Sequence, residues 1–168
     1  MPVAARRGPR RAGRRLAALL AVAFVPAGGC ASERCGPSLG EVARVVDGDT
    51  IDLSDGTRIR YLLVDTPEIS GTPECYGPEA KAANEMLVAG ATVDLAYDEV
   101  CEDKYGRLLA YVSVGGREIN LTLVERGYAC VLSIPPNGAA KLDTYLAAEQ
   151  AARTDGAGLW GTCMPPPC

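Results

Sequence analysis

Arg60-Tyr61-Leu62-Leu63-Val64-Asp65-Thr66-Pro67-Glu68 sets charged groups inside and at the end of an apolar run. Ile59 to Val64 reads as a strand with apolar residues on both faces, and Arg60 stands within it. A guanidinium in such a run is costly unless a carboxylate or another anion meets it. Pro67 has no N–H for a ladder and restricts Thr66 to an extended conformation. It therefore ends the strand and projects Asp65, Thr66 and Glu68 from a fixed turn. Taken singly, each of these residues fits a surface turn or a structural ion pair; together they place a permanent cation and carboxylates within one short segment.

Upstream, Ser38 to Val46 supplies the β-formers Val42, Val45 and Val46, and Asp47-Gly48-Asp49-Thr50 breaks that strand. Ile51 and Leu53 resume an alternating pattern, and Ser54-Asp55-Gly56-Thr57 is a hairpin turn feeding the Arg60 strand. Three adjacent antiparallel strands follow. In such a meander the Asp49 bend can lie beside Asp65. Two carboxylates, a backbone carbonyl and waters suit a hard divalent cation. An EF-hand is excluded, because Ile51 falls where the loop needs its third acidic ligand and no acid closes it. Without that partner, Asp47-Gly48-Asp49 is simply a turn.

Downstream, Ile69 to Tyr76 is a loop ending in Cys75 and Tyr76, and Pro78 starts a helix to Ala89 closed by Gly90. Ala83, Met86 and Leu87 are its expected core face. Val93 to Ala96 is a strand. The charged turn Glu102 to Gly106 leads through Arg107, a second candidate anion ligand, into the strand Leu108 to Val114. Gly115-Gly116 makes a hairpin, Asn120 is placed to cap a short helix from Leu121 to Arg126, and Tyr128 to Ile134 is one more strand candidate. After Pro135-Pro136-Asn137-Gly138 a helix runs from about Lys141 to Arg153, with Leu142, Tyr145, Leu146, Glu149 and Ala152 on one stripe. Trp160 is read as an anchor for the end of the domain. The pattern predicts an α+β fold, mainly β: a five-stranded Greek-key barrel with helical caps.

Residues 1–29 contain six arginines, no acid and the apolar run Leu16 to Val25, the n-region and h-region of an export signal. Ala27-Gly28-Gly29-Cys30 resembles the lipobox of bacterial lipoproteins, which makes Cys30 the expected lipidation site and mature N-terminus. The other reading is an ordinary signal-peptidase site. The expected organisation is a signal peptide over 1–29, a tether over 30–38, a barrel domain over 39–163 and a tail over 164–168.

The chain has seven cysteines, and setting Cys30 aside leaves Cys35, Cys75, Cys101, Cys130, Cys163 and Cys168. In an exported chain these read as structural disulfides whose connectivity spacing alone leaves open. The chain has no His and no CxxC, which argues against a zinc site and excludes chemistry needing imidazole. Removing six leader arginines from 17 basic residues leaves 11 against 21 acidic ones, a net charge of −10. Such a chain is a poor non-specific binder of polyanions, so a nucleic-acid role must rest on a local basic pocket, a bound cation, or both.

Three segments, Val46-Asp47-Gly48-Asp49-Thr50, Arg60 to Glu68, and Asp103-Lys104-Tyr105-Gly106-Arg107 with Leu109-Ala110-Tyr111-Val112, together resemble the staphylococcal nuclease (thermonuclease) family. Tyr76-Gly77-Pro78-Glu79-Ala80 and Asn120 with Leu123-Val124 and Gly127 are similar too, so the resemblance covers roughly residues 40 to 161. It implies an oligonucleotide-binding barrel with three helices and a calcium-dependent nuclease cleaving DNA and RNA to 3′-phosphate ends. Residue by residue, it implies Ca2+ on the carboxylates of Asp49 and Asp65 and the Thr66 carbonyl, with Asp47 just outside. Glu68 would orient or deprotonate the attacking water, Arg60 and Arg107 would hold the phosphate, and Lys104 and Tyr105 would contact a neighbouring phosphate. It also implies a Cys75–Cys101 disulfide, with Cys130–Cys163 as a second pairing. The segment Val131 to Pro135 lacks the tyrosines that pack against nucleotide in well-known members, and stacking of that kind is worth roughly 1–3 kcal/mol per base. The alternative is a non-catalytic oligonucleotide-binding or envelope interaction module on the same fold. A monomer is expected in either case.

Overall fold

The computed structural model describes residue 1 and residues 35–168; the expected leader, Cys30 and most of the tether lie outside the described residues. Strands β1 (Leu39–Val45), β2 (Thr50–Leu53), β3 (Arg58–Tyr61), β4 (Thr92–Glu102) and β5 (Leu108–Val114) follow the order β3-β2-β1-β4-β5. A parallel β3–β5 pairing, with Arg60 opposite Leu109, joins the two ends into a closed barrel. A two-residue β6 (Arg117–Glu118) extends β5. Helices α1 (Gly77–Val88), α2 (Ile119–Glu125) and α3 (Leu142–Thr154), with the single turn α4 (Leu159–Thr162), cover it. This is the α+β, oligonucleotide-binding type of barrel that the sequence predicts.

Period-two patterning builds the interior. Along β4, Val93, Leu95 and Tyr97 are buried while Thr92, Asp94 and Ala96 face out. With Ile51, Ile59, Val112 and Leu123 they form one core, each large aliphatic side chain contributing about 1.5–3 kcal/mol by leaving water. The strand is longer than Val93 to Ala96, because it bends through a register shift after Tyr97 and pairs again at Glu102 with Leu108.

Several expectations are corrected. The Arg60 strand stops at Tyr61 and does not run on to Val64, and Leu63 takes a left-handed φ of 59°. The cause is the charge itself. Arg60 Nη1 donates to the carbonyls of Tyr61 (3.2 Å) and Val64 (2.6 Å), so the chain curls around the guanidinium. Tyr128 to Ile134 is no strand; its regular pairing is one bridge between Cys130 and Asp65. Asn120 does not cap a helix. It lies inside α2 with its side chain buried, donating to the carbonyls of Leu62 and Ala110 and accepting from Val112 N–H.

Met86 is 80% exposed, because α1 buries Ala80, Ala83, Asn84 and Val88, and Met86 lies across the helix from Asn84. Leu146 is likewise exposed, whereas Tyr145 and Ala152 are buried and Glu149 accepts from Val131 N–H at 2.9 Å. Trp160 does anchor the end of the domain, packing with Leu159, Cys130 and Cys163 beneath the Arg153 guanidinium.

All four cysteines named for disulfides are bridged, but neither implied pairing occurs. Cys35 joins Cys101, Cys75 joins Cys163, and Cys130 joins Cys168, with Cα–Cα distances of 5.1, 5.8 and 6.2 Å. Cys101 is taken by Cys35 because the segment entering β1 runs along β4, where Tyr97 Oη donates to the Pro37 carbonyl at 2.8 Å. Cys130 and Cys163 do share one cluster, yet each pairs outward: Cys163 to the loop before α1, and Cys130 to the tail.

Candidate active site

The β1–β2 turn and the segment after β3 meet at Arg60. Asp49 is buried in the turn just before β2, and its Oδ2 accepts from Thr66 N–H (2.9 Å) and Thr66 Oγ1 (3.0 Å) and lies 3.0 Å from Arg60 Nη1. Asp65 Oδ1 takes Arg60 Nη2 at 2.9 Å. The strand-bound guanidinium thus meets both carboxylates that the sequence singled out. Burial, with the nearby Asp47 charge, pushes Asp49 up to about 7 against the lowering effect of Arg60. Asp65 is also raised, chiefly by desolvation, with Arg60 opposing.

Close approach makes this turn possible. A Cβ on Gly48 would fall 2.7 Å from the Thr66 side chain, so only glycine lets the Asp47–Asp49 turn lie on that residue. Asp47 Oδ1 accepts from Asp49 N–H (3.1 Å), which places Asp47 beside the pair without a bond to Arg60. Buried Asn84 completes the support, donating to the Asp47 carbonyl (3.1 Å) and accepting from Tyr61 Oη (3.0 Å). The sequence reading missed Asn84. Its one signal was a polar residue within the small-residue face of α1.

Arg107 reaches the site from the β4–β5 turn. Its Nε donates to Asp103 Oδ2 at 2.6 Å, and Asp103 Oδ1 also accepts from the Tyr105 and Arg107 N–H groups. Burial raises the Asp103 carboxyl, but these hydrogen bonds outweigh it and hold it below the usual carboxylate range. Tyr105 is exposed beneath the Lys104 ammonium and the Arg107 guanidinium, 5.0 and 5.5 Å from its ring centre. Arg60, Lys104, Tyr105 and Arg107 line one cleft of about 370 Å³, whose far wall is Leu132 and Ile134. An aliphatic wall stands where the resemblance implies tyrosines.

Glu68 is exposed beyond Pro67, outside the lining of that cleft. Its N–H donates to Glu74 Oε2 at 2.9 Å, while Gly77 lets α1 begin against its carbonyl, where a Cβ would come within 2.7 Å. Cys130 supports the opposite side: its N–H and carbonyl bond the carbonyl and N–H of Asp65 at 2.8 and 2.9 Å. The Cys130–Cys168 disulfide therefore sits directly behind Asp65. Nothing in the sequence spacing marked that contact.

Among the described residues no group of three or more His, Cys, Asp or Glu side chains could hold a metal ion. The hard oxygen donors here are the Asp49 and Asp65 carboxylates and the Thr66 carbonyl, and those of Asp49 already accept from Thr50 and Thr66 and meet Arg60. Such a set fits a divalent cation that keeps several waters.

A sequence profile described as staphylococcal nuclease homologue matches residues 58–162. The chain belongs to that family. It is 39% identical over 124 residues to endonuclease YncB of Bacillus subtilis (strain 168), covering 70% of this chain and 59% of that protein. It is 37% identical to the SPbeta prophage-derived endonuclease YokF of the same organism, covering 70% of this chain and 42% of that one. Against the thermonuclease of Staphylococcus intermedius it is 38% identical over 118 residues, covering 67% and 70%. The chain thus spans less than two thirds of both Bacillus endonucleases.

Proposed function

We propose that this chain is an exported, calcium-dependent nuclease that hydrolyses phosphodiester bonds of DNA and/or RNA to leave 3′-phosphate ends. The observation that carries the reading is the pair of guanidiniums in one cleft: Arg60, fixed between Asp49 and Asp65, and Arg107, fixed by Asp103. The relatives named endonuclease and thermonuclease support the same reading. Two rigid cations from different elements suit the charge that builds on a phosphate during in-line attack.

In this reading Arg60 and Arg107 hold the non-bridging oxygens of the scissile phosphate. Glu68 orients a water and takes its proton as the water oxygen bonds to phosphorus. The bond from phosphorus to the 5′ oxygen breaks, the leaving oxygen takes a proton from solvent, and the phosphate stays on the 3′ side. Lys104 and Tyr105 contact the next phosphate. Asp49, Asp65 and the Thr66 carbonyl are the groups that would hold Ca2+, and a bound cation would supply further positive charge beside the phosphate.

The leader and the cysteine pattern support export, with the barrel over 39–163 held at the envelope by lipid on Cys30 and acting as a monomer. Three disulfides in so short a chain, two of them tying the tether and the tail to the barrel, suit an oxidising compartment.

The test is hydrolysis of single-stranded DNA by the full-length chain, oxidatively folded, with calcium and with chelator, beside Glu68→Gln. Hydrolysis that needs calcium and is lost in the variant supports the enzyme. A folded chain that binds the DNA without cutting it under either condition overturns it in favour of a binding module.

A further inference from the structure

Among the described residues, a line of charged side chains crosses the barrel away from Arg107. In the β1–β2 register Arg44 stands opposite Asp52, and in the β2–β3 register Asp52 stands opposite Arg58. The parallel β3–β5 register pairs Ile59 with Leu108, so Arg58 and Arg107 fall one step before them at the same level. Arg44, Asp52 and Arg58 therefore form one row across β1, β2 and β3, which Arg107 continues from the turn just before β5. At about 4.8 Å per strand the row is roughly 14 Å long. It lines an open groove of about 680 Å³, with Tyr105 and Gly106 at the Arg107 end.

Asp52 is shared by two guanidiniums. Arg58 reaches it through Nε (2.6 Å) and Nη2 (3.1 Å), and Arg44 through Nε (3.1 Å) and Nη2. One carboxylate neutralises only one of them, and each guanidinium has five N–H donors, so positive charge and donors are left over. The Arg44 and Arg58 side chains are 61% and 45% exposed. Cross-strand ion pairing alone needs a single arginine here. A second one adds self-repulsion on the sheet, yet it supplies what an acidic chain otherwise lacks: a basic strip continuous with Arg107.

We infer that Arg44 and Arg58 form a phosphate-binding track that carries the backbone of a single-stranded nucleic acid away from the Arg60–Arg107 cleft across β3, β2 and β1. This deepens the nuclease reading and rests on it for the direction of the strand. Asp52 holds the two guanidiniums apart and upright and moderates their affinity, so that the strand can slide. The track compensates for the aliphatic wall of Leu132 and Ile134: affinity is drawn from phosphates more than from stacked bases.

The experiment uses the full-length chain in chelator, so that binding is measured apart from cleavage. Fluorescence polarisation with 5′-labelled single-stranded DNA of two, six and twelve nucleotides is compared for Arg44→Ala, Arg58→Ala, the double variant and Asp52→Asn. The double variant is expected to lower affinity for the twelve-mer at least ten-fold, and by a factor that grows with length. The slope of log affinity against log salt should shrink by about 1.4, at roughly 0.7 per phosphate contact. Asp52→Asn is expected to tighten binding of the twelve-mer several-fold, an outcome that loss of a purely structural ion pair does not produce. A twelve-mer affinity and salt slope unchanged in the double variant overturn the track even if the parent chain cuts DNA. Length-dependent loss of binding in a chain that never cuts DNA supports the track while the nuclease reading fails.

Discussion

Arg60 and Arg107 face one cleft but are built in opposite ways. Arg60 is 13% exposed, lies within a barrel strand and is held by two carboxylates and two backbone carbonyls. Arg107 is 29% exposed, sits at the end of a turn and is held by one carboxylate, Asp103, over the Tyr105 ring. The first arginine is part of the fold, because the chain from Leu62 to Asp65 is wound round it; the second is an attachment to the fold. Substitutions should therefore separate stability from chemistry at one position and fuse them at the other.

Replacing Arg60 breaks the comparison most severely. Arg60→Ala strands Asp49 among Thr50, Thr66 and the core, and removal of one partner of a buried pair costs about 3–5 kcal/mol. Chemical denaturation should show that loss together with abolished hydrolysis, and Arg60→Lys should restore little of either, since an ammonium cannot span two carboxylates and two carbonyls. A variant of unaltered stability would show that Arg60 does not organise the segment.

Gly48→Ala tests the same region without touching a charge. The new methyl group meets Thr66 at 2.7 Å, and overpacking of this kind costs about 1–3 kcal/mol, read as a lower denaturation midpoint. Any shift of the turn also moves Asp49, so hydrolysis should fall more than the residual folded fraction explains.

On the Arg107 side, acid titration sharpens the contrast. The folded Asp103 carboxyl lies below its ordinary value of 3.8, so it contributes stability that is fully present above that value and lost as pH falls through the lower, folded value. Asp103→Asn should therefore lessen the loss of stability below about pH 4 while leaving the neutral-pH midpoint slightly reduced. An unchanged acid limb would contradict the pairing.

How far the sequence revealed this contrast depended on whether a signal was local. A cation in an apolar run, Pro67 closing it, Asp-Gly turns on either side and Pro78 with Gly90 bracketing a helix all act within a few residues, and the barrel and the Asp49–Arg60–Asp65 grouping were legible from them. What was not legible depends on where one side chain ends in space or on contacts distant along the chain. Leu63 turns left-handed because of where the Arg60 side chain ends, Asn120 ties β5 to the turn after β3 in place of a helix terminus, and Cys130 pairs with a residue at the far end of the tail. Cysteine spacing says nothing about which ends of the chain run side by side, and the resemblance misassigned both bridges for that reason.

The central claim, that two arginines serve one phosphate from unequal supports, is tested most directly by Arg107→Ala in the full-length chain, with denaturation and hydrolysis of single-stranded DNA measured on the same preparation. A single, partly exposed ion pair within one turn contributes about 1 kcal/mol, so the denaturation midpoint should move little. Hydrolysis should fall by roughly 10²–10³-fold, the usual loss for a transition-state charge donor. Full hydrolysis in a stable Arg107→Ala chain would contradict the account.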